Sequence, residues 1–268
     1  MGSILKEAQA LQSDMKKIEG RFRFKFALTT ENIEQVLADR LFRKTVAGRA
    51  RLQEDYAERG GVLRGLGELA DTAQTLPACT ADSFPVYYPF FPYQIHVIPD
   101  LVKALRSRGG RGEQLSGSTR TLLAITQDIL RDGRRKYLQE PVGQLVSFDE
   151  VYHNLAGEGE VSPDVRTDLS RVRDKVPGCT EWTAPVAEVL YLLRELPYVP
   201  RTAANLARLL VRSVDDDLQI VLARVEPELD RLMKAKLVAR NGDEFEFLTG
   251  ERRTFEDEVS STEEQQYR

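Results

Sequence analysis

The chain has 268 residues, 41% hydrophobic and 30% charged, with a formal net charge of −4. That is the composition of a globular chain with enough apolar material for one large core or two ordinary ones. The mild acidic balance argues against a protein that coats nucleic acid by charge alone and leaves only a local basic patch open.

The two cysteines, Cys79 and Cys179, stand far apart and outside any CxxC or Cys/His cluster. A metal site is therefore not expected, and a reducing cytoplasm fits. No apolar run reaches membrane-spanning length and no secretory signal is visible, so no membrane partner is expected. Met1-Gly2-Ser3 reads as a cloning remnant, which makes the chain an excised piece of something longer.

Residues 4–18 keep a helical period through Leu5, Ala8, Leu11, Met15 and Ile18, and Gly20 ends it. Arg21 to Leu28 alternates basic and aromatic residues, the mark of a strand with one apolar face. Its basic face either meets phosphates or is half solvated. Thr30 caps a helix carrying Ile33, Val36, Leu37 and Leu41, whose pattern drifts until Gly60-Gly61 breaks it. Residues 62–73 read as a further helix, weakened by Gly65 and Gly67. The stretch 76–92 reads as a loop with four prolines and the rings Phe84, Tyr87, Tyr88, Phe90 and Phe91. Such rings are either packed down or form a base-stacking platform.

Two amphipathic helices follow, one on Ile95, Ile98, Val102 and Leu105 with Pro99 near its first turn, the other on Leu122, Leu123, Ile125, Ile129 and Leu130. Gly109-Gly110-Arg111-Gly112 links them as a flexible basic loop. The second opens Ser116-Gly117-Ser118-Thr119-Arg120, which puts an arginine in a first turn, where the helix dipole disfavours a cation. Either Arg120 points into solvent, or an anion sits between it and the helix start. The run Arg131, Arg134, Arg135 and Lys136 reads as a solvated helix end.

Residues 148–155 form a short helix, and 156–160 a polar turn that marks a domain boundary. Ser162-Pro163 opens a helix with the stripe Val165, Leu169, Val172 and Val176, stopped by Pro177-Gly178. A compact series closes the chain. One helix carries Val186, Val189, Leu190 and Leu193. A second, capped by Thr202, carries Ala203, Leu206, Ala207 and Leu210. A segment over 218–225 is followed by another beginning at Pro227. A hairpin then turns on Asn241-Gly242, a pair that favours type I′. Three helices and a terminal hairpin make the winged-helix pattern. The acidic start expected for its third helix, Glu226, Glu228 and Asp230, is poor for major-groove entry, so phosphate contacts would fall to Arg201, Arg208, Arg212 and Arg240. From residue 251 the tail is polar.

The chain has no GxxxxGK[ST] phosphate loop and no GxSxG elbow, and neither His96 nor His153 has a partner in sequence. No catalysis is expected from this chain alone.

One stretch resembles a known family. Tyr88-Pro89-Phe90-Phe91-Pro92-Tyr93-Gln94, then Leu115-Ser116-Gly117-Ser118-Thr119-Arg120-Thr121-Leu122-Leu123, are similar to motifs of the BrxC/PglY family. Its members are large P-loop ATPases of the BREX and phage growth limitation defence systems. Leu28 to Ile33 with Arg40, Leu41 and Lys44, and Phe247-Leu248-Thr249, look like further segments of that family. Ser118 and Thr119 here separate Gly117 from Arg120, and Leu122 stands where the family usually has Met.

The resemblance implies a mainly α chain. Residues 1–30 would end an ATPase core, 31–155 form a helical AAA+-type lid, 160–250 a winged-helix domain with a small β-hairpin, and 251–268 a polar tail. It also implies that Gly117 and Arg120 belong to a lid sensor that meets the terminal phosphate of ATP, the phosphate loop lying upstream. Implied partners are other defence-system proteins, DNA, and further copies of the longer protein. Two other readings stand beside this one: a free-standing winged-helix DNA-binding regulator and a structural adaptor.

Overall fold

The computed structural model describes residues 36–108 and 115–250, with backbone alone over 115–121. The expected helix over 4–18, strand over 21–28, Thr30 cap, glycine linker and polar tail lie outside the described residues.

Residues 36–40 are helical and lead into a turn that buries Leu37 and Phe42. Thr45 then starts α1 (Val46–Leu66), its hydroxyl accepting the Gly48 N–H. One helix was expected from the Thr30 cap to Gly60-Gly61, but residues 41–45 are not helical, and the helix that starts afresh after them was not expected to pass Gly60. Instead it kinks at Arg59 (φ −126°, ψ 15°) and continues to Leu66. Adjacent glycines weaken a helix by about 1 kcal/mol each, and here Leu63 and Leu66 beyond them are buried and hold the last turn down. The helix expected over 62–73 is therefore the end of α1.

A short helix, α2 (Ser83–Tyr87), interrupts the stretch that reads as a plain loop. Phe84, Phe90 and Phe91 are at most 1% exposed. Ring contacts join Phe42 to Phe90 at 5.6 Å, Phe84 to Tyr88 at 5.8 Å and Tyr56 to Phe84 at 5.9 Å. Of the two readings of these aromatics, packing is the one observed.

The two amphipathic helices are α3 (Pro92–Arg108) and α4 (Leu115–Arg131), packed on each other. Pro92 opens α3, so Pro99 sits mid-helix rather than in the first turn. The buried Gln94 side chain accepts from Phe91 N–H at 2.9 Å and donates to the Val146 carbonyl at 2.8 Å. That bond ties the start of α3 to the segment before α5 (Phe148–Gly157).

The helix expected over 163–176 divides at Arg171 into α6 (Pro163–Ser170) and α7 (Val172–Lys175). Its stripe survives the break, since Val165, Leu169, Val172 and Val176 are all buried. Next, α8 (Thr183–Leu193) is buried at all 11 of its residues. Thr202 caps α9 (Ala203–Leu209) by accepting the Asn205 N–H. Then α10 (Leu218–Lys234) runs unbroken through Pro227, where a new helix was expected. Pro227 is exposed, and Val221, Val225, Leu229 and Leu232 form one buried stripe on both sides of it. That stripe holds the two halves in line despite one lost backbone bond.

β1 (Val238–Asn241) and β2 (Glu244–Phe247) pair antiparallel, Val238 opposite Phe247 and Asn241 opposite Glu244. The two-residue turn is thus Gly242-Asp243, and only Gly242 (φ 62°) has positive φ. Type I′ needs positive φ at both positions, so the expected turn type does not form. The described chain is mainly helical with one small two-stranded sheet. No helix among the described residues is long and apolar enough to cross a membrane.

The turn at 156–160 does not separate two cores. Leu155 and Val161 on its two sides are both buried, and the hydrophobic cluster runs from Leu37 to Phe247 without a gap at this point. The Glu160 N–H donates to the Leu155 carbonyl, and the Glu160 carboxylate pairs with Arg106 at 2.6 Å.

Gly67 ends α1 against this core. A Cβ there would lie 2.6 Å from Phe91 Cδ1 and 2.9 Å from Cys79 Cβ. Both neighbours are fully enclosed and have little room to retreat. Gly67→Ala is expected to cost roughly 1–3 kcal/mol, read as a lowered urea midpoint. An unchanged midpoint would show that residues 67–82 can shift freely.

Candidate functional site

Helix α4 carries the residues expected to meet nucleotide. It begins at Leu115, so Gly117 is its third residue and Arg120 its sixth. Arg120 therefore lies in the second turn, about 7.5 Å along the axis, not in the first as its sequence context suggested. The dipole field fades within one turn, so the conflict that singled out Arg120 is smaller than expected. The first turn of α4 contains no acid. The side chains of Gly117's neighbours and of Arg120 lie outside the described residues.

The four arginines assigned to nucleic acid are each engaged within the chain. Arg201 pairs with Glu244 at 3.2 Å and Glu246 at 4.0 Å on β2. Arg208 donates to the carbonyls of Gly65 at 3.2 Å and Ala204 at 3.1 Å. Arg212 pairs with Asp149 at 3.4 Å and lies 4.8 Å from the Trp182 ring centre. Arg240 donates to the Gly242 carbonyl at 2.8 Å, lies 3.6 Å from Asp243, and keeps 55% of its side chain exposed.

The acidic start assigned to the third helix is not at a helix start. Because α10 begins at Leu218, Glu226, Glu228 and Asp230 lie in its middle, and its first turn holds no acid. Glu228 is buried, accepting from the hydroxyls of Thr180 (2.7 Å) and Thr183 (2.5 Å) and from Arg231. It anchors the helix to the start of α8. The argument that an acidic start opposes groove entry therefore falls. The outer face of α10 is mixed, with Ile220, Ala223, Arg224, Glu226 and Asp230 exposed.

What the fold does bring together is a polar seam at the start of α5. Asp149 and Glu150 occupy the first turn of that helix, where the dipole favours acids, and are 2% and 4% exposed. Buried carboxylates require partners. Asp149 accepts from Ser147 two residues before it, from Arg134 at 3.0 Å and from Arg212 at 3.4 Å. Glu150 lies 3.2 Å from Arg134 and 3.8 Å from Arg135. The basic run after α4, which reads as a solvated helix end, thus supplies counter-charge to the interior.

Trp182 sits beneath both Arg212 and Arg224, the second guanidinium 5.3 Å from its ring centre. Backbone bonds from Leu145 N–H to Arg212 O and from Val214 N–H to Gly143 O, each 2.8 Å, lace the same seam.

A second seam joins α3 to the later chain. Arg108 pairs with Glu195 at 2.8 Å, and Tyr198 donates to Asp100 at 2.8 Å. Burial pushes the Glu195 carboxyl up against the opposing pull of Arg108 and Arg194, and pushes the Tyr198 hydroxyl up as well. Asn205 bonds both the N–H and the carbonyl of Ala70, at 2.8 and 3.0 Å. His153, expected to lack a partner, has Nε2 3.1 Å from the Glu188 carboxylate on α8.

Sequence reasoning missed these seams because their partners stand from 15 to 135 residues apart. The one available signal was two adjacent acids opening an otherwise apolar helix, Asp149-Glu150. Cys79 is buried, and burial pushes its thiol up to about 12. Among the described residues no group of three or more His, Cys, Asp or Glu is placed to hold a metal ion.

Replacing Asp149 tests the first seam. Asp149→Ala leaves Arg134 and Arg212 facing each other without their shared carboxylate. The expected loss is roughly 2–4 kcal/mol, below the full buried-pair value because Arg134 is half exposed. Chemical denaturation measures it. A loss under about 1 kcal/mol would show that both guanidiniums reach solvent. No family model and no solved structure matches the chain.

Proposed function

We propose that the chain is the nucleotide-responsive lid and winged-helix module of a large cytoplasmic phage-defence ATPase, coupling ATP state to contact with a partner. One observation carries this reading: an unbroken line of packing from the helix of Arg120 to the terminal hairpin. α4 packs on α5, α5 on α8, and α8 on both α10 and β2. A shift of α4 on binding a phosphate cannot stop at α5, because packed interiors pass displacement on rather than absorb it.

The helix–helix–helix–hairpin order of α8, α9, α10 and β1–β2 supports the winged-helix part. The sequence resemblance supports the lid and its family. The first turn of α4 has no acid to repel a phosphate. The chain offers a single sensor arginine and no phosphate loop, so ATP would be held mainly by residues of the longer protein, further copies of which would complete an oligomer. Bound ATP supplies the phosphoryl group, and Arg120 would stabilise its developing charge by a bidentate contact.

The mixed outer face of α10 and the internal engagement of Arg201, Arg208 and Arg212 favour a protein partner, another component of the defence system, over DNA. The half-exposed Arg240 at the hairpin supports the DNA-binding alternative. That alternative is a free-standing regulator, with a structural adaptor as the bland case.

In the longer ATPase, Arg120→Ala is expected to lower ATP hydrolysis by roughly a hundredfold or more with the melting temperature kept. Arg120→Lys would recover only part, since one ammonium cannot reproduce a fork, and Arg111→Ala would serve as the control. Hydrolysis equal to wild type in Arg120→Ala would remove the sensor role. Tight, sequence-specific DNA binding by the 268-residue chain at physiological salt would favour the regulator instead.

A further inference from the structure

A cavity of about 430 Å³ opens between residues 38–44, the start of α1 and the end of α2. That is the size of a small-molecule site, which runs roughly 300–1,000 Å³. Among the described residues its charges do not balance: Arg43, Lys44 and Arg49 line it against one acid, Asp39. Arg43 and Arg49 are exposed and, among the described residues, neither has an ion-pair partner. This is unlike the arginines of the seams, each of which is matched.

Lys44 is the informative member. Its ammonium donates to the Val86 carbonyl at 2.7 Å and lies 5.2 Å from the centre of the Phe42 ring. No carboxylate pairs with it among the described residues. Burial, then the charge of Arg49, pushes it down to about 7. A cation half withdrawn from water with no carboxylate partner among the described residues is costly, and a site that awaits an anion is the setting in which that cost has a use.

The floor of the cavity is apolar, formed by Phe42, Pro85 and Val86. A second recess of about 200 Å³ adjoins it through Phe42, Arg43 and Lys44 and is walled by Tyr88, Leu130 and Tyr137. Leu138 and Val142 at its rim are 67% and 54% exposed. A molecule with a charged head and an apolar body would match the two recesses.

We propose that this cavity binds a small organic oxyanion with two or more negative charges, phosphorylated or polycarboxylate, gripped by Arg43, Lys44 and Arg49 with its apolar part in the adjoining recess. The site is separate from the nucleotide reading of Arg120 and does not rest on it. Binding should be linked to protons. The anion favours the ammonium form of Lys44, so the complex takes up a proton and affinity falls as pH rises through the free-state value near 7. Around Lys44 stand Asp39, Arg43 and Arg49 from its own segment and, across the recess, Tyr88 and Glu140.

The test is titration calorimetry of the 268-residue chain with pyrophosphate and, separately, citrate. Saturable binding of at least one probe at about pH 6.5 is expected, and the preference between them tells phosphate from carboxylate. Arg43→Ala and Arg49→Ala should each weaken it about tenfold without moving the melting temperature, since both side chains are exposed and have no ion-pair partner among the described residues. For citrate, wild type should bind about tenfold more weakly at about pH 8.5 than at about pH 6.5, and Lys44→Met should abolish that difference. Arg120→Ala should change nothing. No saturable binding of either probe at about pH 6.5 would overturn the proposal. So would full affinity in both arginine variants, or binding lost with Arg120→Ala.

Discussion

A helix with no polar face has to be covered on every side, and α8 is such a helix. All 11 of its residues are buried, in a sequence that runs from Thr183 to Leu193 with Glu188 as its one charged member. Leaving any side of it open would expose apolar area at roughly 25 cal/mol per Å². The chain meets this demand from both directions. α6, α7, α9, α10 and β2 cover it from its own half, and α5 covers the remainder from the earlier half. Even Glu188 conforms, with the imidazole of His153 on α5 beside its carboxylate. The later helices and hairpin cannot leave α5 without uncovering α8, so the turn at 156–160 connects two parts of one interior.

Charge follows from the same geometry. Closing α8 against α5 carries the first turn of α5 out of water along with Asp149 and Glu150. Their desolvation is offset only if cations come with them, and Arg134, Arg135 and Arg212 do. Several cations that a sequence would assign to an external ligand are thereby spent inside. Arg43 and Arg49, beside Lys44, are exposed cations with no ion-pair partner among the described residues.

What the sequence made legible was what is local. The stripes of α3, α4, α8 and α9 emerged from periodicity because a stripe needs only its own few turns to be seen. The Thr202 cap was legible because its partner, the Asn205 N–H, is three residues away. Breakers were misjudged where distant packing outweighed them, at Gly60-Gly61 and at Pro227, and a break without a strong breaker was missed at Arg171. The hairpin was found, but its turn was placed one residue early because the register is set by Val238 against Phe247 rather than by the Asn-Gly pair. The basic cavity was not legible at all. Lys44 becomes a half-buried lysine only when the distant α2 lays Val86 and Pro85 against it.

Arg212 has a bearing on how this sequence can drift. Its guanidinium serves Asp149 from one half of the chain and the Trp182 ring from the other, while its backbone carbonyl receives Leu145. Any residue keeps that carbonyl, but no single replacement answers both of the side-chain neighbours. Lysine could keep the charge but not the flat stacking surface, and an aromatic or aliphatic residue would strand the carboxylate. Asp149, Trp182 and Arg212 are therefore expected to vary together or not at all among relatives, a coupled trio 63 residues wide that any tolerated change must cross in one step or through a weakened intermediate.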